Sequence, residues 1–552
     1  MRIAIAGVAG PVGRALTAAL GADHDLLLAG VTAGARGTPG APSGAAVLDG
    51  DLRDPEVARR LVEGQGALIH LAAHPDAWPA GRPDGETLDV CARGTFLVLR
   101  AAAQAGVPRV VLLSTLDLFE AYPPGWAVDE TWRPRPGTEM RELGPYVGEL
   151  SGREIARAGW PLSVVCLRLG RTGGAPGGQI DPRALHPEDA VRAVRLALEL
   201  RPGGAPPVGP PGASGWVTPQ DRGWRVFHIP GGRRARFPLR AAGEGGLGYA
   251  PQHRFDGACR AEARAAHVGD DGALVPVAAP APRPAGRGPT PLLTVFGSSG
   301  PLAAAAAPLL APSHTLRLTD VLPPEAGAAR IAARWPAAPR PGRWGPPHEQ
   351  RAVDVADGAA VAQAVAGADA VLNCTVVREQ VAGAFRVNTL GAYNVLRAAL
   401  EGGVRRVVHT GPQILSLDHP AGYGADFDVP ADAPFRAGAD VYFHSKYLGL
   451  ELARVFAANH GLEVAALLFS TFVAPQDPGP MRGRLGPAAV SWADAAAALR
   501  RAVEVPTLPS SFEILRILGD LPQGKFSNRK ARRILGWAPR DSLRHLWQTP
   551  EG

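Results

Sequence analysis

Met1-Arg2-Ile3-Ala4-Ile5-Ala6-Gly7-Val8-Ala9-Gly10-Pro11-Val12-Gly13 and Leu292-Leu293-Thr294-Val295-Phe296-Gly297-Ser298-Ser299-Gly300-Pro301-Leu302-Ala303 are one phrase written twice: an apolar run, a glycine turn and a helix start. Other pairs keep the register. Arg109-Val110-Val111 returns as Arg406-Val407-Val408, Tyr146 as Tyr442, and Leu247-Gly248-Tyr249-Ala250-Pro251 as Leu535-Gly536-Trp537-Ala538-Pro539. The paired positions lie 288 to 297 residues apart, so the duplication spans nearly the whole chain and two similar domains are expected.

Length agrees, because 552 residues exceed what one hydrophobic core supports and suit two domains. We place the first at 1–261, an Ala/Pro/Gly-rich linker at 262–290 and the second at 291–552. In the first half, short apolar runs at Ile3 to Ala6, Leu26 to Ala29, Ala45 to Leu48, Ala67 to Ala73, Val110 to Leu113 and Leu162 to Leu169 alternate with Ala/Leu/Arg-rich helical stretches. The second half repeats them near Leu293 to Phe296, Thr315 to Thr319, Arg351 to Val355, Ala370 to Cys374, Val407 to His409 and Val464 to Phe469. Buried parallel strands read as such near-continuous apolar runs, so the expected class is α/β: two tandem doubly wound, Rossmann-like parallel-sheet domains, each with a small C-terminal substrate lobe.

Composition narrows the function. A net charge of +7 is modest for this length, and with no run of five basic residues no nucleic-acid partner is expected. Four scattered cysteines lack C-x-x-C spacing, which argues against a disulfide framework and against a metal site. The chain starts on a strand-like run, with no long apolar leader and no stretch of 18 apolar residues, so a cytoplasmic protein without a membrane partner is expected. Only three of 58 basic residues are lysines, Lys446, Lys525 and Lys530, so a lysine kept in place is informative.

Gly7, Gly10 and Gly13 follow a strand and open a helix, the context in which backbone N–H groups and the positive helix end can hold a pyrophosphate. Asp51-Leu52 follows the third strand, and Leu71-Ala72-Ala73 ends the fourth. In this order the motifs resemble the extended short-chain dehydrogenase/reductase family of the NAD-dependent epimerase/dehydratase type, over both halves. The resemblance implies that the glycines hold the pyrophosphate, that Asp51 and Leu52 border adenine, and that Leu71, Ala72 and Ala73 lie beside the nicotinamide-side ribose. In the second half it implies the same roles for Gly297 and Gly300, for Asp354 and Val355, and for Asn373, Cys374 and Thr375, with Ala303 replacing the third glycine. Asp320, about twenty residues beyond the glycines, can accept ribose hydroxyls and repel a 2′-phosphate. The first half has no such acid and carries Arg36 nearby. NAD is therefore expected in the second half, and NAD, NADP or no cofactor in the first.

Tyr442 and Lys446 lie one helical turn apart, where an ammonium favours the phenolate and would bring Tyr442 down from its usual pKa of ~10 toward working pH as a general acid/base. The resemblance adds that the lysine binds the nicotinamide ribose. In the first half Tyr146 faces Leu150 at the lysine position, whereas Thr115 keeps the hydroxyl that the family uses to polarise substrate. The second half has Pro412 there, leaving Thr410 or Gln413 to supply that hydrogen bond. Asn388 occupies the family's helix position, where the first half has Cys91. The short stretch after the sixth strand suits a small sugar, sugar acid or other hydroxy/keto substrate. The expected function is an NAD-dependent oxidoreductase driven by the second half, with the halves forming a family-style dimer within one chain. The alternatives are a catalytically degenerate dinucleotide-binding protein and an epimerase or dehydratase.

Overall fold

A computed structural model describes residues 1–31, 45–78, 81–123, 125–172, 184–201, 223–231, 236–239, 241–243, 246–253, 290–413, 428–433, 435–476, 485–522 and 524–546. The chain divides into two compact units, Met1–Leu274 and Val275–Gly552. The linker assigned at 262–290 lies outside the described residues except for its last position, as does Arg36.

Each unit is a seven-stranded sheet, parallel in every pairing, with the same strand order. In the first, β1 (Arg2–Ala6), β2 (Asp25–Ala29), β3 (Ala46–Leu48), β4 (Ala67–His70), β5 (Arg109–Thr115), β6 (Ser163–Leu169) and β7 (Trp224–Ile229) run 3-2-1-4-5-6-7 across the sheet. In the second, β8 (Leu292–Phe296), β9 (Thr315–Asp320), β10 (Glu349–Ala352), β11 (Ala370–Asn373), β12 (Arg406–Pro412), β13 (Glu463–Phe469) and β14 (Phe512–Arg516) run 10-9-8-11-12-13-14. The order reverses beside β1 and β8, which opens a crevice at the carboxyl ends of those strands where such sheets bind ligands. Central strands are buried on both faces; all seven residues of β5 and of β13 are.

Three helices position each crevice. The first unit uses α1 (Pro11–Leu20), α2 (Met140–Arg157) and α3 (Pro187–Glu199). Their counterparts are α4 (Pro301–Leu310), α5 (Val441–His460) and α6 (Trp492–Glu504). α1 and α4 each begin with proline directly after a glycine N-cap that has no side-chain cap, so their first N–H groups are left for another partner. In the second unit Leu293, Val295, Leu310, Leu318, Leu372, Val408, Leu467 and Leu515 share one core with Trp537.

The seventh strands are additions to the sequence reading. Trp224-Arg225-Val226-Phe227-His228-Ile229 and Phe512-Glu513-Ile514-Leu515-Arg516 carry charge inside an apolar run, and His228 and Arg516 are fully buried. β4 stops at His70 and β10 covers 349–352, rather than the 67–73 and 351–355 expected from sequence. No helix among the described residues is long and apolar enough to cross a membrane.

Candidate active sites

In the second half, Gly297 turns the chain from β8 with φ +77°, its N–H donating to the Thr319 carbonyl at 2.9 Å. A Cβ there would lie 2.8 Å from the backbone of Cys374 and Thr375, so only glycine lets the end of β11 pass. Among the described residues, a Cβ on Gly300 would have one neighbour within 4 Å, the Gly297 carbonyl at 3.2 Å. Asp320 braces the turn: Oδ2 accepts the Ser299 N–H at 2.9 Å and Oδ1 the Leu322 N–H at 3.0 Å. Each carboxylate oxygen has a further lone pair for a ribose hydroxyl. An open glycine turn, an uncapped helix start and an adjacent carboxylate together fit the pyrophosphate and ribose of a dinucleotide.

Val355 is buried and packs beside Gly391, while Asp354 is exposed and its Oδ1 accepts the Ala356 N–H at 2.9 Å. Asn373, Cys374 and Thr375 are buried, with Asn373 Oδ1 accepting the Thr375 hydroxyl at 2.8 Å. Burial pushes the Cys374 thiol up to about 12, so it is neutral and unreactive.

Lys446 reaches from α5 into the ends of two strands, Nζ donating to the carbonyls of Thr375 at 2.7 Å and Thr410 at 3.2 Å. Desolvation pulls its pKa down to about 7. Tyr442, one turn earlier, is half-buried, and the helix start carrying it is capped by Asp440, which accepts the Phe443 N–H at 3.0 Å. The expectation that Lys446 acidifies Tyr442 needs correction. Burial raises the phenol above its ordinary value, and the opposing cation is Arg378, whose guanidinium lies 5.1 Å from the ring centroid and lowers the pKa by charge and hydrogen bonding. Lys446 anchors the strand ends instead.

Thr410, expected to replace the hydroxyl lost at Pro412, donates to the Asn373 carbonyl at 2.9 Å, so it ties β12 to β11. Gln413 is fully buried. Asn388 holds the segment after β11 on both sides, accepting the Val377 N–H at 3.1 Å and donating to the Val377 carbonyl at 2.7 Å and to Ser445 Oγ at 2.9 Å. Arg378 and Ser445 were not found from sequence. Arg378 sits in a loop without periodicity, and the partner of Ser445, Asn388, is 57 residues away in sequence.

The first half builds the same turn and then covers it. A Cβ on Gly7 would lie 2.7 Å from Ala72 N, as the second half requires of Gly297, and one on Gly13 would lie 2.5 Å from the Val8 carbonyl. Above Gly10, however, stands the backbone of Asp76, whose carbonyl oxygen would be 1.7 Å from a Cβ. Asp76 belongs to a 3₁₀ turn, Pro75–Ala77, and its carboxylate accepts the Thr172 hydroxyl. Trp78 Nε1 donates to the Ala72 carbonyl at 3.0 Å, and Leu71, Ala72 and Ala73 are buried. Tyr146 and Leu150 are fully buried, and Thr115 accepts the Asp117 N–H at 3.1 Å as the cap of another 3₁₀ turn. Asp51 is held by Arg53 at 2.6 Å, and Leu52 is buried. Among the described residues, Gly10 therefore lies against the Asp76 backbone, whereas the nearest neighbour of Gly300 is its own turn.

The NAD dependent epimerase/dehydratase family matches the chain over residues 3–182 and again over 294–505. An L-arabinose 1-dehydrogenase (NAD(P)(+)) of Haloferax volcanii is 30% identical over 189 residues, 29% of this chain and 68% of that protein. A uronate dehydrogenase of Pseudomonas syringae pv. tomato is 29% identical over 258 residues, 45% of this chain and 82% of that protein. The crystal structure of uronate dehydrogenase from Agrobacterium tumefaciens is 24% identical with a TM-score of 0.38, covering 46% of this chain and 85% of that one.

Proposed function

Because the chain belongs to the NAD dependent epimerase/dehydratase family in two tandem copies, we propose that it is an NAD-dependent oxidoreductase of a small sugar or sugar acid whose second half alone is active. The observation that carries this reading is the Gly300 helix start, which no described residue but its own turn approaches, combined with Lys446 at the ends of β11 and β12 and Tyr442 one helical turn before it. NAD supplies a hydride acceptor. The first N–H groups of α4 and Gly300 would hold its pyrophosphate and Asp320 its ribose.

Tyr442 takes the proton from the substrate hydroxyl as that carbon is oxidised, and returns one in the reverse direction. Its phenol must ionise against burial, and Arg378 supplies the opposing positive charge. Lys446 fixes the strand ends against which substrate and cofactor lie. Arg378 is exposed, and its planar fork matches a carboxylate, which favours an aldehyde sugar acid over a neutral sugar. The relatives named arabinose and uronate dehydrogenases support a small sugar or sugar acid, and the uronate relative supports the acid.

A second reading has its own observation: Pro412 occupies the position of the family's polarising hydroxyl, and the Thr410 hydroxyl is engaged by Asn373. On that reading the second half binds NAD without turnover. NADH production on a panel of aldoses and uronic acids, with NAD and NADP in parallel, decides between them. Turnover lost in Tyr442→Phe supports the enzyme. NAD binding without turnover on any member supports the binding protein.

A further inference from the structure

His186, Glu188 and His253 form the cluster of metal-ligating residue types among the described residues whose ligand atoms all lie within 4.8 Å of one another. Separation in sequence hides it, since 253 lies far from 186 and 188; the fold closes the gap. His186 is the N-cap of α3, and its Nδ1 accepts the Glu188 N–H at 3.3 Å, a long bond. His253 is brought alongside by Asp189, whose fully buried carboxylate accepts the N–H groups of Gln252 at 2.9 Å and His253 at 3.0 Å. The two imidazoles then stack with centroids 3.7 Å apart, and His253 Nε2 lies 3.3 Å from a Glu188 oxygen.

The second half contains the same scaffold without the ligands. There Asp494 accepts the N–H groups of Arg540 at 2.8 Å and Asp541 at 3.0 Å, and Ser491 is the N-cap of α6. Ser491, Ala493 and Asp541 stand where the first half has His186, Glu188 and His253. The shared carboxylate clamp explains the fold of this corner in both halves, but not two histidines and a glutamate in one of them.

We propose that His186, Glu188 and His253 bind one divalent transition-metal ion of the zinc or nickel class. Imidazole selects such ions over magnesium or calcium, and one carboxylate completes a three-ligand set that leaves a position for water. At metal–nitrogen distances of about 2.0 to 2.1 Å, neighbouring ligand atoms sit about 3.3 Å apart, and because the two rings stack at an interplanar angle of 19° one imidazole must rotate out of the stack to aim its lone pair at the ion. His253 Nδ1 makes no hydrogen bond among the described residues, with an Asp189 oxygen 3.5 Å away, so this buried ring nitrogen has no partner of its own. His186 exchanges its long cap bond for the ion whichever ring nitrogen binds. The ion then ties the last described segment of the first unit to the start of α3.

Calorimetric titration of the tag-free, chelator-treated full chain with zinc chloride tests this, with magnesium chloride as control. The expected result is one saturable zinc per chain and none for magnesium, with affinity lowered about tenfold or more in His253→Ala, in His186→Ala and in the double variant. Cobalt added in place of zinc should show the visible absorption of a nitrogen-ligated ion in wild type and lose it in the double variant. These side chains are partly exposed, so unchanged circular dichroism in the variants is expected and separates ligand loss from misfolding. Absence of saturable zinc binding, or wild-type affinity in a folded His186→Ala/His253→Ala chain, overturns the proposal.

Discussion

Gly10 and Gly300 open equivalent helices after equivalent strands, yet one lies under the backbone of Asp76 and the other, among the described residues, is approached by its own turn alone. The segment after the fourth strand makes the difference. In the first half Pro75–Ala77 coils into a 3₁₀ turn over the glycines; in the second, the matching Glu379 turns outward to Arg334 at 2.9 Å, and Arg378 remains beside Tyr442. A glycine of one repeated turn can thus serve close backbone packing in one copy without doing so in the other.

The helices that carry Tyr146 and Tyr442 diverge in the same sense. Glu149 of α2 is fully buried in a two-armed ion pair with Arg168 of β6, both bonds at 2.8 Å. At the matching position of α5 stands Ser445, bonded to Asn388. One half has filled its interior with a satisfied charge pair, and the other retains a lysine at the cleft.

The largest expected effect separates the two tyrosines. Tyr442→Phe should lower turnover by about 10² to 10⁴-fold, the usual value of a positioned acid/base, while Tyr146→Phe leaves kcat unchanged. Equal losses in both would break the comparison. Next, Glu149→Leu strands Arg168 in the core and should cost about 3–5 kcal/mol of first-half stability, read as a lowered first-half melting transition with the second unmoved. Gly10→Ala forces the Asp76 turn aside at about 1–3 kcal/mol, whereas Gly300→Ala should leave melting nearly unchanged and weaken NAD instead.

A different kind of effect is a pH slope at Lys446. Its pKa is about 7 in the fold, below the ordinary lysine value, so the unfolded chain binds the extra proton above pH 7 and stability rises with pH there. Against Lys446→Met, wild type should gain up to about 1.4 kcal/mol per pH unit between roughly pH 7 and 10, measured by paired denaturant melts. A flat difference would mean that Lys446 stays charged.

Sequence carried the duplication, the first six strands of each sheet and the glycine turns, because apolar periodicity and turn residues are local signals. It missed β7 and β14, whose buried His228 and Arg516 break the apolar pattern and are accommodated only by tertiary partners. Tyr442 and Lys446 were legible by spacing, but the cation beside the phenol was not. Arg378 comes from a different loop, and the carbonyls that hold Lys446 come from two strand ends. Asp76 over Gly10 was invisible for the same reason: nothing in Pro75-Asp76-Ala77 announces where that turn lands.

Titration of the full chain with NAD, followed by calorimetry, is the most direct measurement. One site per chain is predicted, abolished by Gly300→Val. Two sites, or one that survives Gly300→Val in a folded chain, would contradict the assignment of function to the second half.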